Sequence, residues 1–316
     1  MSGPVAIVGA GSIGVSWAIV FARAGRPVRV QDPDPARRAA VAGEIASRLE
    51  QLQEAGLLDE APDAIAGRVT VGADLAAAVG RAVHVQECAP ERVELKRELF
   101  AQLDAIAAPD AVLASSSSAL TASAFAGELP GRGRCLVVHP ANPPHLLPVV
   151  EVVPAAFTDA AVVDRTVALL AGAGQSPVVL RREIEGFVFN RLQGAVLREA
   201  YCLVRDGVAT VDEVDRVMRD GLGRRWAFIG PFETADLNTR GGIAAHAEKL
   251  GPGYARMGAE RGQHDPWTPE LVAEVTAQRR ALLSLEDWDE RVAWRDQALI
   301  ELERARRGLT GKEDGS

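Results

Sequence analysis

A short β-branched run, Val5–Val8, leads directly into three glycines spaced as Gly-x-Gly-x-x-Gly: Gly9, Gly11 and Gly14. The pattern predicts a strand, a tight turn and the start of a helix, which is the first unit of a dinucleotide-binding α/β sheet. Gly9 permits the turn, Gly11 lets the backbone approach a pyrophosphate, and Gly14 lets the helix pack closely on the strand. The helix N-terminus adds free N–H groups and a partial positive charge for the phosphates.

A second strand, Val28–Gln31, ends at an acidic residue, Asp32. In dinucleotide-binding sheets a carboxylate at this place accepts hydrogen bonds from the adenosine ribose, and it repels a 2′-phosphate. We therefore expect NAD rather than NADP as cofactor. Arg37 and Arg38 follow closely, and from sequence alone they could soften that preference.

The first part of the chain alternates strand and helix patterns, which indicates a mostly parallel sheet. Further strands are predicted at Val83–Gln86, Ala111–Ala114, Cys135–Val138, Val149–Val153 and Val178–Leu180. Helices are predicted near Ser12–Ala24, Ala36–Ala55, Arg92–Ala105 and Asp159–Leu170. Later segments show only helical periodicity, at Gly186–Arg205, Val211–Arg219, Pro231–Ala245, Pro269–Leu283 and Asp287–Arg306. The predicted organisation is an α/β, Rossmann-like domain over residues 1–182 and an all-α domain over residues 183–316.

Composition and charge narrow the function classes. The 316 residues are 47% hydrophobic with a net charge of -8, which argues against a nucleic-acid or anionic-membrane partner. No long uncharged apolar run and no signal-peptide pattern is present, and the three cysteines, Cys88, Cys135 and Cys202, lack the spacing of a metal site. We expect a cytoplasmic protein with reduced thiols and no metal centre.

His139 follows a predicted strand and precedes a proline-rich segment, where loops at the carboxyl edge of an open sheet meet ligands. Oxidation of a secondary alcohol needs a base near neutral pH, which suits imidazole. Glu151 lies inside the apolar run Val149–Val153, where a carboxylate is costly unless it is paired. We therefore predict that Glu151 pairs with His139, although a histidine after a strand is often only structural.

Two other polar features remain open on chemistry alone. Four serines, Ser115–Ser118, follow a predicted strand, and their hydroxyls could bind a substrate oxygen or cap the next helix. Asn190 lies within a predicted helix, where asparagine is unfavourable unless it faces solvent or serves a site.

Several segments carry a family resemblance: GAGSIG, ERVELKRELF, the serine run, HPANPP with VVEVV, and EGFVFNRL. Through them the chain resembles the L-3-hydroxyacyl-CoA dehydrogenase superfamily over nearly its whole length. The segments LLPVVEVVP, WAFIGPFET and WTPELV with AWRDQAL are similar to its lambda-crystallin branch, whose members act as L-gulonate 3-dehydrogenases. The resemblance implies an NAD-dependent dehydrogenase that forms a homodimer through its helical domain.

The resemblance also implies roles for individual residues. The catalytic set would be His139 as base, Glu151 as its partner, Ser118 and Asn190. The cofactor-binding set would be Gly9, Gly11, Ser12, Ile13, Gly14, Asp32, Glu91, Lys96 and Asn142. For Lys96, a solvated lysine on the surface of its helix is the alternative.

The chain departs from the family in one informative stretch. Hydroxyacyl-CoA dehydrogenases carry lysines there that hold the CoA phosphates, whereas residues 47–55 read SRLEQLQEA, which is neutral to acidic. This favours a small free 3-hydroxy acid, with L-gulonate as the leading substrate. Alternative substrates are carnitine and a hydroxyacyl-CoA. A third alternative is that the protein is a crystallin-like, dinucleotide-binding structural protein without activity.

Overall fold

The computed structural model describes residues 3–227, 230–238 and 242–262, together with separate positions between 270 and 305. The chain divides into two compact units, residues 1–191 with 293–316, and residues 192–292. The division falls after Arg191, within a helix, whereas the sequence suggested a domain boundary after residue 182. That boundary stays a prediction. The predicted helix Pro269–Leu283 lies mostly outside the described residues, and the predicted helix Asp287–Arg306 is described at only about half of its positions.

The first unit is built on one eight-stranded sheet. Its strands are β1 (Val5–Val8), β2 (Val28–Gln31), β3 (Val69–Gly72), β4 (His84–Glu87), β5 (Val112–Ser115), β6 (Cys135–Pro140), β7 (Val149–Pro154) and β8 (Ser176–Val179). They lie in the order β3-β2-β1-β4-β5-β6-β7-β8, and all neighbours are parallel except β6 and β7. The predicted fold class, a mostly parallel Rossmann-like sheet followed by a helical region, is confirmed.

Helices cover both faces of this sheet. They are α1 (Ser12–Arg23), α2 (Pro35–Glu54), α3 (Pro62–Ala66), α4 (Leu75–Val79), α5 (Val93–Ile106), α6 (Ala122–Ala126) and α7 (Ala160–Gly172). Alternate strand residues serve opposite cores: Ile7 packs with α1, α2 and α7, whereas Ala6 and Val8 pack with α4, α5 and α6. This period of two is what a strand buried on both faces requires.

The remaining helices belong to the helical region. They are α8 (Phe189–Arg205), α9 (Val211–Val217), α10 (Gly223–Trp226), α11 (Pro231–Asn238) and α12 (Gly242–Arg261). Helix α9 starts with a capping box between Thr210 and Glu213. No helix among the described residues is long and apolar enough to cross a bilayer.

Three sequence expectations need correction. Strand β3 was not predicted, because this edge strand is largely exposed and has no continuous apolar run. The helix expected from Gly186 begins only at Phe189, because Gly186 and Phe187 adopt positive φ angles of 74° and 50°. The helix expected over Pro231–Ala245 ends at Asn238, and a separate helix covers Gly242–Arg261.

Candidate active site

The glycine-rich turn has the geometry that a pyrophosphate site needs. Gly9 adopts a φ of +102°, which side-chain-bearing residues rarely do, and a Cβ on Gly14 would lie 1.9 Å from the Gly9 carbonyl oxygen. A Cβ on Gly11 would meet no protein atom within 4 Å, so this backbone is open to a ligand. Because α1 begins at Ser12, the N–H groups of Ser12 and Ile13 have no partner within the helix. These residues therefore fit the phosphates of a dinucleotide.

Asp32 lies at the carboxyl end of β2 beside this turn. Its Oδ2 accepts a hydrogen bond from the Ala10 N–H at 2.7 Å, and its Oδ1 accepts one from the Asp34 N–H at 2.9 Å. Each oxygen retains a lone pair for a ribose hydroxyl. The neighbouring Arg37 donates to the Ala10 carbonyl, and Arg38 donates to the Asp32 carbonyl. Both guanidinium groups are thus bound to main-chain oxygens beside the carboxylate, which supports the preference for NAD.

His139 and Glu151 form a cross-strand pair. The antiparallel register of β6 and β7 sets the two residues directly opposite each other. His139 Nδ1 lies 2.8 Å from Glu151 Oε2, and the two residues are 7% and 3% exposed. A shift of the register by one residue would turn one side chain to the other face of the sheet. The strand pairing therefore creates the predicted imidazole–carboxylate contact.

The second oxygen of Glu151 is held by the segment before α8. Glu151 Oε1 accepts hydrogen bonds from the N–H groups of Val188, at 2.7 Å, and Phe189, at 3.0 Å. Burial pushes the pKa of Glu151 upward, but the hydrogen bonds from His139 and from these two N–H groups outweigh it and hold the pKa below its ordinary value. Glu151 is therefore a carboxylate at neutral pH and accepts the hydrogen of His139 Nδ1.

A cavity of about 330 Å³ brings several of the predicted site residues together. It is lined by Ile13, Cys88, Ala89, Glu91, Ser116, Ser118, His139, Pro140 and Asn142. Five of these were predicted from sequence. A larger cavity, of about 390 Å³, lies near Arg23 and His145 and contains none of the predicted residues. The smaller cavity is therefore the candidate active site.

The structure shows where the serines and Asn190, whose roles the sequence left open, are placed. None of the four serines caps α6, whose N-cap is Thr121. Ser115 and Ser117 are buried, whereas Ser116 and Ser118 line the cavity. Asn190 Nδ2 donates a hydrogen bond to the Ser118 carbonyl at 2.9 Å. Asn190 therefore ties the start of α8 to the serine loop.

Lys96 is not a surface residue. It is 1% exposed, and its Nζ lies 2.8 Å from both oxygens of Glu87, a carboxylate that is completely buried. Ser115 donates to Glu87 Oε2 at 2.5 Å, and the Ala89 N–H donates to Glu87 Oε1 at 2.6 Å. The alternative of a solvated lysine is therefore wrong, because the ammonium group is enclosed by a carboxylate and a hydroxyl.

Glu91 links this buried cluster to the cavity. Its Oε2 lies 3.8 Å from Lys96 Nζ, and its Oε1 accepts hydrogen bonds from the Ser117 hydroxyl and from the N–H groups of Ala119 and Leu120. Burial raises the pKa of Glu91, but these hydrogen bonds outweigh that effect and lower it overall. Glu91 therefore presents a negative charge at the cavity wall.

Sequence reasoning missed Glu87. It ends the strand His84–Glu87, in which only Val85 is apolar, so the signal used for Glu151, a carboxylate inside an apolar run, was absent. Its partner Lys96 lies one turn into α5, nine residues later. The pairing depends on how α5 packs on the sheet, which no local pattern reports.

The fold and this site together define a class, the dinucleotide-dependent dehydrogenases. The family model for the NAD binding domain of 3-hydroxyacyl-CoA dehydrogenase matches residues 4–184, and the model for its C-terminal domain matches residues 186–282. The chain is 43% identical over 312 residues to the lambda-crystallin homolog of Bos taurus, covering 95% of this chain and 94% of the relative. The chain therefore belongs to the 3-hydroxyacyl-CoA dehydrogenase family, in its lambda-crystallin branch.

Two further similarities extend over the whole chain. An L-carnitine dehydrogenase of Streptomyces griseus is 39% identical over 316 residues, covering 95% of this chain and 89% of the relative. The crystal structure of an NAD⁺-dependent 5-formyl-3-hydroxy-2-methylpyridine 4-carboxylic acid 5-dehydrogenase aligns with a TM-score of 0.85 at 25% identity, covering 98% of this chain and 99% of that one. The protein is thus an NAD-dependent oxidoreductase that acts on CH–OH groups.

Proposed function

We propose that this protein oxidises the hydroxyl group of a small 3-hydroxy acid, with His139 as the general base and Glu151 as the residue that orients it. The leading substrate is L-gulonate, which would give 3-dehydro-L-gulonate. The observation that carries the proposal is the 2.8 Å contact between His139 Nδ1 and Glu151 Oε2 at the wall of the cavity. NAD, when bound, supplies the acceptor for the hydride.

His139 is prepared for proton transfer by its partner. Because the Glu151 carboxylate can only accept, Nδ1 carries the hydrogen of the neutral ring and Nε2 keeps a lone pair. That nitrogen accepts the hydroxyl proton, and Glu151 stabilises the resulting imidazolium. The rings of Phe187 and Phe189, with centroids 5.4 and 6.3 Å from the imidazole, limit the movement of His139.

Ser118 and Asn190 complete the catalytic set of the proposal. Ser118 lines the same cavity as His139, which suits its hydroxyl to the substrate oxygen. Asn190 holds the Ser118 carbonyl through its Nδ2, so its Oδ1 remains an acceptor. The cofactor would be held by the glycine-rich turn with Ser12 and Ile13, by Asp32, and by Glu91, Lys96 and Asn142.

A free acid is favoured over a CoA thioester by residues 47–55 on α2. The one basic residue there, Arg48, donates to Ser16 Oγ at 2.8 Å and lies 3.5 Å from Glu44. Its charge is thus already engaged, and the acidic residues around it oppose a polyanion such as CoA. The lambda-crystallin homologues and the carnitine dehydrogenases among the relatives support a small substrate but do not select between gulonate and carnitine.

Initial rates of NADH formation with L-gulonate, 3-hydroxybutyrate, L-carnitine and 3-hydroxybutyryl-CoA test the proposal. We expect kcat/KM to be highest for L-gulonate. A higher kcat/KM for the CoA ester than for every free acid would overturn the small-acid proposal. A higher kcat/KM for L-carnitine than for L-gulonate would keep that proposal but replace L-gulonate by carnitine as the substrate. The absence of NADH formation with all four would favour the structural, crystallin-like alternative.

The homodimer and the cytoplasmic compartment remain predictions. Several apolar side chains of the helical unit are exposed, among them Phe232 at 81%, Val208 at 66% and Met257 at 58%. Covering them in a second copy would remove apolar surface from water. Sedimentation equilibrium should give twice the mass of one chain, and the mass of a single chain would contradict the dimer.

A further inference from the structure

Several polar side chains are buried between the sheet and α1, next to the candidate active site. His84 and Gln86 on β4 and Trp17 on α1 are completely buried, in a layer that is otherwise apolar. They are joined by hydrogen bonds that end at Ser116 Oγ, which lines the cavity. Each of these side chains has a fixed set of donors and acceptors, so the direction of the hydrogen bonds that join them can be derived.

The derivation starts from a main-chain carbonyl. Gln86 Nε2 lies 3.2 Å from the Val138 carbonyl oxygen, which can only accept, so this end of the side chain must be the NH₂ group. Its Oε1 therefore faces His84 Nε2, 2.9 Å away, which must carry a hydrogen. Burial lowers the pKa of His84 to about 4, so the ring is neutral at physiological pH.

The second hydrogen of the Gln86 amide points to Ser116 Oγ at 2.7 Å. Trp17 Nε1, which can only donate, lies 3.2 Å from the same oxygen. A serine hydroxyl has two acceptor sites and one hydrogen, so both acceptor sites of Ser116 are filled. Its own hydrogen can therefore only be donated.

The nearest acceptor for that hydrogen is weak. Cys88 Sγ lies 3.2 Å from Ser116 Oγ, and a thiol sulfur accepts hydrogen bonds poorly. Burial raises the pKa of Cys88 to about 12, so the sulfur carries no charge that would strengthen the bond. Both residues line the cavity, and a ligand oxygen entering it would be the better acceptor.

The position of Ser116 indicates which ligand that is. The main chain of Cys88 packs against the dinucleotide turn, since a Cβ on Gly9 would lie 2.9 Å from the Cys88 carbonyl carbon. The Ser116 hydroxyl is thus on the cofactor side of the cavity, whereas His139 is on the next strand along. We propose that Ser116, oriented by Gln86 and Trp17, is a fixed hydrogen-bond donor to the carboxamide oxygen of nicotinamide. The proposal rests on the proposed function, because it assigns the cavity to the nicotinamide.

Cofactor analogues test this without turnover. Thionicotinamide adenine dinucleotide replaces the carboxamide oxygen with sulfur, a weaker acceptor. Dissociation constants of the reduced forms, measured by calorimetry without substrate, should favour NADH over the thio analogue by about 2- to 10-fold in the wild-type protein. Ser116→Ala should weaken NADH binding by a similar factor and bring the preference close to 1. Ser116→Thr, which keeps the hydroxyl, should retain it, and Ser176→Ala on the exposed strand β8 should behave as wild type.

The outcomes separate the two proposals. Equal wild-type affinity for NADH and its thio analogue would overturn the role of Ser116, even if Ser116→Ala failed to fold. If Ser116→Ala still binds NADH more tightly than the thio analogue, the role of Ser116 is also overturned. If that variant in addition shows a raised KM for the hydroxy acid, the hydroxyl of Ser116 contacts the substrate instead of the cofactor. No binding of NADH by the wild-type protein would instead overturn the proposed function.

Discussion

Two buried carboxylates in this sheet are alike in setting and different in partner. Glu151 on β7 and Glu87 on β4 both lie in buried parts of the sheet and are 3% and 0% exposed. Glu151 pairs with the imidazole of His139. Glu87 pairs with the ammonium group of Lys96 and with Ser115. The sheet thus places the proposed proton-handling pair, His139 and Glu151, on one side of the cavity and a fixed charge pair, Glu87 and Lys96, behind the other.

The pKa shifts of the two carboxylates run in opposite directions. Burial raises the pKa of Glu87, and Lys96, Ser115 and the Ala89 N–H oppose this only in part. For Glu151 burial also acts upward, but the hydrogen bonds outweigh it and lower the pKa. The comparison shows that the hydrogen-bond partners of a buried acid, rather than its place in a strand, determine the direction of its pKa shift.

The largest expected effect comes from breaking the proton-handling pair at its imidazole. His139→Gln removes the base but keeps a hydrogen-bonding side chain beside Glu151, so kcat should fall about 10²- to 10⁴-fold while NADH binding persists. Steady-state rates and NADH titration measure both quantities. His246→Gln, on α12, is the matched control and should leave kcat unchanged. Wild-type turnover by His139→Gln would remove His139 from the mechanism.

The Glu87–Lys96 pair should respond in stability rather than in the proton-transfer step. Glu87→Gln leaves the buried ammonium of Lys96 with only the more distant carboxylate of Glu91, which should lower the free energy of unfolding by about 3–5 kcal/mol in urea denaturation. The double variant Glu87→Leu with Lys96→Met removes both charges and should recover most of that loss. If the double variant is as unstable as Glu87→Gln, the ion pair is not the cause.

Glu151→Gln should show the opposite pH dependence from a residue with a raised pKa. At neutral pH it loses the charge that three hydrogen bonds stabilise, so the free energy of unfolding should fall by about 1–3 kcal/mol. Because the folded-state pKa of Glu151 lies below its ordinary 4.5, this contribution is present above about pH 4.5 and disappears as the pH falls through the lowered pKa.

Urea denaturation of wild type and Glu151→Gln at pH 7 and at progressively lower pH measures this difference. The gap between the two proteins should narrow on acidification. Glu50→Gln, on the exposed side of α2, is the control and should match wild type throughout. A gap that stays constant down to the acid transition would show that Glu151 contributes by packing and not by charge.

Much of the sheet and one of the two acid pairs could be predicted from sequence. Strands β1 and β2 have the predicted bounds, because their β-branched pattern stops at Gly9 and at Asp32. His139 was predicted as the partner of Glu151 because a carboxylate inside an apolar run is costly unless it is paired. The partner of Glu87 was not, since it required the packing of a helix on the sheet.

The segment before α8 was beyond sequence reasoning for a different reason. Helical periodicity predicted that the helix begins at Gly186. In the structure Gly186 and Phe187 have positive φ angles, and this turn directs the next two N–H groups, of Val188 and Phe189, to Glu151. Such angles depend on tertiary contacts, and Phe187 is completely buried. A local sequence pattern therefore could not predict that the N–H groups before α8 bind Glu151.

Glycine substitutions can separate the backbone cost of this turn from its role in positioning Glu151. Gly186 and Gly174 have nearly equal φ angles, +74° and +76°, and a Cβ would meet nothing closer than 3.6 Å at the first and nothing within 4 Å at the second. Each change to alanine should therefore lower the free energy of unfolding by about 1–2 kcal/mol. Only Gly186→Ala should also lower kcat, by a few-fold, because it shifts the N–H groups that hold Glu151 and thus the orientation of His139. Equal kcat values for the two variants would mean that the turn supports the fold and leaves the imidazole unaffected.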